Sequence, residues 1–286
     1  MSNQRRTCRI AHLSDLHVLA PPGAGRAGAS IALRTRLASL GRALDPESRI
    51  AKLHSALAAA KERGADHFVF SGDLTELGTE AQFEALAEAL HASKIDPDKI
   101  TLVPGNHDSY AAPGSWRRAL EGPLASFRRA SAEDAGKVVE VGGVLLLPLD
   151  VACHQPIGRA AGELTMEAAA ALERRLRDCG ALGRPAVIVQ HHSPIPHASR
   201  AWQWVDGLRG HERMLDLLRR FEHTCVLHGH FHYEVERAVG GGRARVFGTT
   251  ATVEDAPGAP RVRIYELSDE ARDEPLRSLA PLRAAA

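Results

Sequence analysis

Six short apolar runs punctuate this chain, and five of them end in a cluster of Asp, Asn or His. The runs are Thr7–Leu13, His67–Phe70, Ile100–Val103, Val144–Leu149, Ala186–Val189 and Thr224–Leu227. Each has the length of a buried strand, and longer amphipathic stretches separate them, which is the pattern of an α/β protein. Helices are expected over Ile50–Arg63, Glu80–Ala92, Thr165–Asp178 and Glu212–Arg220; in the second, Phe83, Leu86, Ala87 and Leu90 fall on one face. After Leu227 the texture changes to Gly-broken β segments at Val235–Val239, Arg243–Phe247 and Val262–Leu267, with Gly240-Gly241-Gly242 as a hairpin turn between the first two. One domain over residues 1–268 is expected, with an insertion at 19–49 and a flexible tail at 269–286.

The clusters are Asp15-Leu16-His17, Gly72-Asp73-Leu74, Gly105-Asn106-His107-Asp108, His191-His192 and His228-Gly229-His230-Phe231-His232. Residues two apart at a strand end project to the same side, so Asp15 and His17 can share one ion. Taken alone, Asp-x-His or Gly-Asp fits an ordinary surface turn. Gly-Asn-His-Asp is far more specific, because an amide, an imidazole and a carboxylate in succession make a costly turn without chemistry. The weight lies in the repetition. In sheets of this kind ligands bind outside the carboxyl ends of the strands, so five such clusters converge on one place.

Composition closes off other classes. A chain of 286 residues can bury a large core. With 44% hydrophobic and 25% charged residues it reads as globular. Lys and Arg number 36 against 35 Asp and Glu, a balance that argues against nucleic acid as a partner. Arg117-Arg118, Arg128-Arg129 and Arg219-Arg220 read as solvated helix faces. Cys8, Cys153, Cys179 and Cys225 form no Cys-x-x-Cys pair, so reduced, mostly buried thiols are expected. No apolar leader follows the first residues and no run reaches the ~20 residues of a membrane span, so a cytoplasmic protein is expected.

Taken together, the five clusters resemble the motif set of the calcineurin-like metallophosphoesterase superfamily, over about residues 7–255. The resemblance implies an α/β fold of the four-layer αββα sandwich type, two mixed β-sheets flanked by helices. Carried across position by position, it implies that Asp15, His17 and His232 hold one metal ion, that Asn106, His191 and His230 hold a second, and that Asp73 bridges both. At the fourth cluster it selects His191 over His192, by its place relative to Pro194. His107 matches the catalytic imidazole, and Asp108 its orienting partner.

The physical logic stands beside that resemblance. Two divalent ions bring four positive charges, of which Asp15 and Asp73 return two; a bridging hydroxide leaves the site about one charge positive, suited to a phosphoryl group. Mixed His, Asn and Asp ligation favours Mn, Fe or Zn over Mg or Ca. The expected activity is therefore hydrolysis of phosphoesters, foremost a small phosphodiester or nucleotide-type substrate, with the bridging hydroxide as nucleophile. The His-His-Ser-Pro turn and compact length resemble the bacterial phosphodiesterase branch. An alternative comes from the insertion after His17 together with Gly72-Asp73-Leu74-Thr75, which is similar to hydrolases of UDP-2,3-diacylglucosamine in lipid A synthesis. The classical branch of that activity has Arg where this chain has His107, so only the variant branch fits, and peripheral membrane contact would accompany such a lipid substrate. A metal-free binding scaffold of the same fold is a second alternative; it predicts missing ligands, and none is missing.

Two segments lie outside the motifs. Within residues 19–49, Ile31, Leu33, Leu37, Leu40 and Leu44 are spaced mostly three or four apart, so a helix gathers them on one side with Arg34, Arg36 and Arg42 at its margins. The segment reads either as a surface loop with a short helix or as a lid beside the site. Trp202-Gln203-Trp204, shortly after His192, reads either as packing or as a surface that stacks on a base or acyl chain.

Overall fold

Every apolar run forms a strand, and the alternation of side chains along each run decides what the two faces of its sheet touch. The computed structural model describes residues 8–24, 29–240, 242–254, 260–267 and 276–279. In chain order the first strands are β1 (Cys8–Leu13), β2 (His67–Ser71), β3 (Ile100–Val103), β4 (Val139–Val141), β5 (Val144–Pro148), β6 (Gly162–Glu163) and β7 (Ala186–Val189). They are followed by β8 (Leu208–Arg209), β9 (Thr224–His228), β10 (Val235–Ala238), β11 (Arg245–Gly248), β12 (Arg263–Leu267) and β13 (Leu276–Ser278). The helices are α1 (Ala29–Ala38), α2 (Pro46–Glu62), α3 (Glu80–Ala92), α4 (Ser115–Glu121), α5 (Met166–Ala181), α6 (Arg200–Asp206) and α7 (His211–Arg220).

The large strands assemble into two mixed sheets, ordered β13-β12-β1-β2-β3 and β10-β11-β9-β7-β5-β4, while β6 and β8 form a small third one. Ile10, Val69 and Val103 of the first sheet meet Val144, Val187, Leu227 and Phe247 of the second in a core between the sheets. Their neighbours along each strand point the other way: Ala11, Phe68 and Leu102 pack under α2, α3 and α4. On the opposite flank Leu145, Ile188 and Val226 pack under α5 and α7. The result is the expected sequence of layers, helices–sheet–sheet–helices. Among the described residues no helix is long and apolar enough to cross a membrane.

Several expectations are corrected. The second helix starts at Pro46 rather than Ile50, because Asp45 caps it by accepting from the Ser48 amide at 3.0 Å and proline fits the first helical turn. Within the segment expected to be a tail, Leu276–Ser278 pairs antiparallel with Tyr265–Leu267, while residues 268–275 and 280–286 lie outside the described residues. The short strands β4, β6 and β8 carry no apolar run long enough to announce them. β10 and β11 pair antiparallel as expected. Gly241 of their connecting turn lies outside the described residues, as does Thr7 ahead of β1.

Candidate metal centre

The parallel strands end in line. Leu13 lies opposite Phe70 and Phe70 opposite Leu102, while Pro148, Val189 and Leu227 align in the second sheet. The five loops that follow β1, β2, β3, β7 and β9 therefore open along one edge. Backbone bonds fix their spacing: Asp15 N donates to Gly72 O and His17 N to Asp73 O, both at 2.9 Å, and Gly229 N donates to His191 O at 3.1 Å. The sheets are joined there as well, since the amide of His230 donates to Asp15 Oδ2 at 3.2 Å.

Tight loops at this edge demand unusual backbone. Seven described non-glycine residues have positive φ, and five of them are Asp15, His17, Asp73, His230 and His232. Each such residue costs of order 1–3 kcal/mol and persists only where its surroundings hold it. Two glycines make room: a Cβ on Gly72, itself at φ +102°, would run into the His191 ring, and one on Gly105 would strike the Asp73 carboxylate.

All nine expected site residues come to this edge. Asp73 sits at the middle. Its Oδ1 accepts from the His107 amide at 2.9 Å. Its Oδ2 lies 3.3 Å from His191 Nε2, 3.9 Å from His107 Nε2 and 4.0 Å from His17 Nε2. Asp15 Oδ1 lies 3.2 Å from His232 Nε2. Three groups of side chains lie close enough to hold a metal ion: Asp15, His17 and His232; Asp73, His191 and His230; and, behind the first, His17, Glu76 and His107.

The rings are turned from behind. A carbonyl or carboxylate oxygen can only accept, so the ring nitrogen facing it carries a proton and the other nitrogen is the one left for a metal ion. His191 Nδ1 donates to Ser71 O at 2.8 Å, His107 Nδ1 to Glu76 O at 2.9 Å, His230 Nε2 to Asp206 O at 2.9 Å and His232 Nδ1 to Glu254 Oε1 at 2.7 Å. Asn106 gives its amide nitrogen to the Tyr110 hydroxyl at 2.9 Å. His17 Nε2 and Asn106 Oδ1 are buried with no hydrogen-bond partner. Buried polar atoms without a hydrogen bond are expensive, and a bound cation is what this donor set suits.

Electrostatics point the same way. Burial opposes charge on His191, but Asp73 and Asp15 outweigh it and push its pKa up to about 9. Burial likewise opposes charge on His232, and Asp15 with Glu254 outweighs it, again up to about 9. Asp73 stays well below the usual carboxylate range, because its surrounding histidines outweigh its burial. The centre draws positive charge.

Three further contacts complete the wall. Asp108 does not orient His107: its carboxylate accepts from the amides of Leu74, Thr75 and Gly105 at 2.8–3.0 Å and from the Thr75 hydroxyl at 2.8 Å. It pins the second and third loops together, while the His107 ring turns on Glu76 O. Glu76 is fully buried, with the Arg49 guanidinium on it and Arg42 Nη2 3.3 Å away, and it lies 3.5 Å from His107 Nδ1 and 3.7 Å from His17 Nδ1. His192 faces away from Asp73 and donates to Ala160 O at 2.7 Å.

The two non-motif segments flank the opening. α1 occupies the expected insertion and packs through Ala38 against Leu77 and Tyr110. Its stripe is turned outward, with Ile31, Leu33, Leu37, Leu40 and Leu44 all exposed. Trp202 and Trp204 lie on α6, both more than 60% exposed, so they are not core residues. Arg159 stacks 4.2 Å over Trp204, and the Tyr110 hydroxyl donates to Arg159 O at 3.2 Å.

Comparison with known proteins agrees with this geometry. The family model described as calcineurin-like phosphoesterase matches residues 8–234. A protein of Rhodococcus erythropolis (strain PR4 / NBRC 100887) named "Probable cyclic nucleotide phosphodiesterase" is 26% identical over 249 residues, spanning 86% of this chain and 72% of its own length. Among solved structures, a dimetal phosphatase from Danio rerio superposes with a TM-score of 0.67 at 15% identity, covering 92% of this chain and 93% of that one. The TT1561 protein of Thermus thermophilus superposes with a TM-score of 0.53 at 14% identity, covering 96% and 99%. At these identities the structures speak for the fold.

Proposed function

Because the chain belongs to the calcineurin-like phosphoesterase family, we propose that it is a dinuclear metal-dependent phosphodiesterase acting on small or nucleotide-type diesters. The observation that carries the reading is the set of buried ligand atoms gathered around Asp73, of which His17 Nε2 and Asn106 Oδ1 have no hydrogen-bond partner. Asp15, His17 and His232 hold one ion, Asn106, His191 and His230 the other, and Asp73 bridges. Mn, Fe or Zn fits these ligands. When bound, the pair supplies a water nucleophile at neutral pH and neutralises charge on the phosphoryl oxygens. His107, turned by Glu76 O, presents Nε2 toward the centre, where in its imidazolium form it can give the Nε2 proton to the leaving oxygen and remain protonated on Nδ1. Asp108 keeps the second and third loops in register. The name of the Rhodococcus relative favours a cyclic nucleotide or similar diester over a monoester.

A second reading rests on one observation, the exposed apolar side chains Ile31, Leu33 and Leu37 of α1 and Leu40 and Leu44 just past it. It suits an acylated nucleotide such as UDP-2,3-diacylglucosamine, with the diphosphate at the metals. The experiment compares bis-p-nitrophenyl phosphate, p-nitrophenyl phosphate, cyclic AMP and UDP-2,3-diacylglucosamine on Mn²⁺-loaded protein. The diesterase reading expects faster turnover of bis-p-nitrophenyl phosphate or cyclic AMP than of the monoester and the acylated nucleotide. Preference for the acylated nucleotide turns the conclusion to the second reading. Faster turnover of the monoester contradicts both.

A further inference from the structure

The fifth loop supplies two histidines that face different ions under the reading above, and each meets a carboxylate from a distant part of the chain. His230 Nε2 lies 3.0 Å from Asp206 Oδ1, at the last residue of α6, in addition to its bond to Asp206 O. His232 Nδ1 lies 2.7 Å from Glu254 Oε1, in the 3₁₀ turn Thr252–Glu254. No motif contains either acid.

Both carboxylates are themselves held. The second oxygen of Asp206 lies 3.3 Å from His197 Nε2. The backbone of α6 is tied to the site by Ala160 N, which donates to Val205 O at 2.8 Å, and by Arg159, whose Nε donates to Trp204 O at 3.3 Å. The turn carrying Glu254 is bound to the first loop, since the amides of Thr252 and Val253 donate to Ser14 O at 2.9 Å and Asp15 O at 3.1 Å. Arg261 Nη1 lies 3.6 Å from the other Glu254 oxygen. Neither acid belongs to the ligand groups themselves. Each stands behind its ring and leaves the opposite nitrogen toward the centre.

A carboxylate behind a ligating imidazole fixes its orientation and tautomer and makes it a better donor; removing such a partner costs ~10–100-fold in metal affinity. We propose that Asp206 and Glu254 are positioning residues of opposite selectivity: Asp206 sets His230 for the second ion, and Glu254 sets His232 for the first. This rests on the ligand assignment given under Proposed function, and it goes beyond it in predicting that two acids outside the motifs act on different ions.

The test is a calorimetric Mn²⁺ titration of metal-stripped protein. Asn106→Ala and His17→Ala identify the binding events of the second and first ion. Asp206→Ala should weaken the event that Asn106→Ala weakens, by about tenfold because the Asp206 backbone carbonyl still accepts from His230, with the other event within about twofold of wild type. Glu254→Ala should weaken the event that His17→Ala weakens, by ~10–100-fold. Asp206→Asn and Glu254→Gln keep an accepting oxygen and should recover part of each loss. Thermal unfolding of the metal-free variants should match the wild type, which a merely structural role would not allow. Loss of the same event in both Ala variants, or of neither, overturns the inference while leaving the dinuclear reading intact. A wild-type protein that binds fewer than two Mn²⁺ removes the dinuclear reading and this inference with it.

Discussion

The inner wall of the centre and its outer rim depart from ordinary burial in opposite directions. Inside, Asp15, His17, Asp73, Asn106 and His191 are polar and almost wholly buried, and His17 Nε2 and Asn106 Oδ1 have no hydrogen-bond partner. Outside, α1 and α6 hold Leu33, Leu37, Trp202 and Trp204 exposed, and Leu40, just past α1, is 83% exposed. Unpaired polar atoms inside cost several times more than single apolar side chains at the surface, which are common. The wall is therefore shaped by its ligand, under strain and with a rigid backing, whereas the rim is free to vary with the substrate. On that contrast, changes to the wall act on chemistry and folding together, whereas changes to the exposed apolar side chains of the rim leave folding unaltered.

The largest expected effect is at His107. Its ring approaches Asp73 and is aimed by Glu76 O, and it is not one of the seven proposed ligands. His107→Ala should lower turnover of bis-p-nitrophenyl phosphate by ~10²–10⁴-fold with metal content unchanged. Parallel loss of metal and activity would make His107 a ligand and redraw the wall.

A smaller effect tests the backing. Glu76 has no exposure and carries the Arg49 guanidinium, which also bonds His17 O and, being buried itself, has little access to water when its partner is lost. Glu76→Gln breaks a buried ion pair and should destabilise the fold by about 3–5 kcal/mol in denaturant titration. The contrasting change, Leu37→Ser on the exposed face of α1, should stay within ~0.5 kcal/mol. Comparable losses in the two variants would mean that α1 belongs to the core and that the wall and rim are not distinct.

The wall was legible in the sequence because its side chains follow strand ends, so a local pattern of apolar run then polar cluster carried the geometry. The αββα layering was legible for the same reason. What local pattern could not show were contacts between distant segments. Glu76 and Tyr110 sit two or three residues past motif residues, and only their bonds to His17, His107 and Asn106 reveal their part. Asp206 and Glu254 lie 24 and 22 residues from the histidines they face, in segments without any distinguishing signal. Asp108, which the family resemblance implies as the partner of His107, has its carboxylate turned toward the second loop. His191 and His192 differ in orientation: His191 Nε2 lies 3.3 Å from Asp73 Oδ2, while His192 Nε2 donates to Ala160 O at 2.7 Å.

The central claim, two metal ions bridged by Asp73, is tested most directly by elemental analysis of purified protein after reconstitution with Mn²⁺. Wild type should hold close to two ions per chain and Asp73→Ala should lose most of both, because its Oδ2 lies within reach of histidines from both sides of the centre. A wild-type protein that holds no metal would contradict the account, as would an Asp73→Ala variant that keeps both ions.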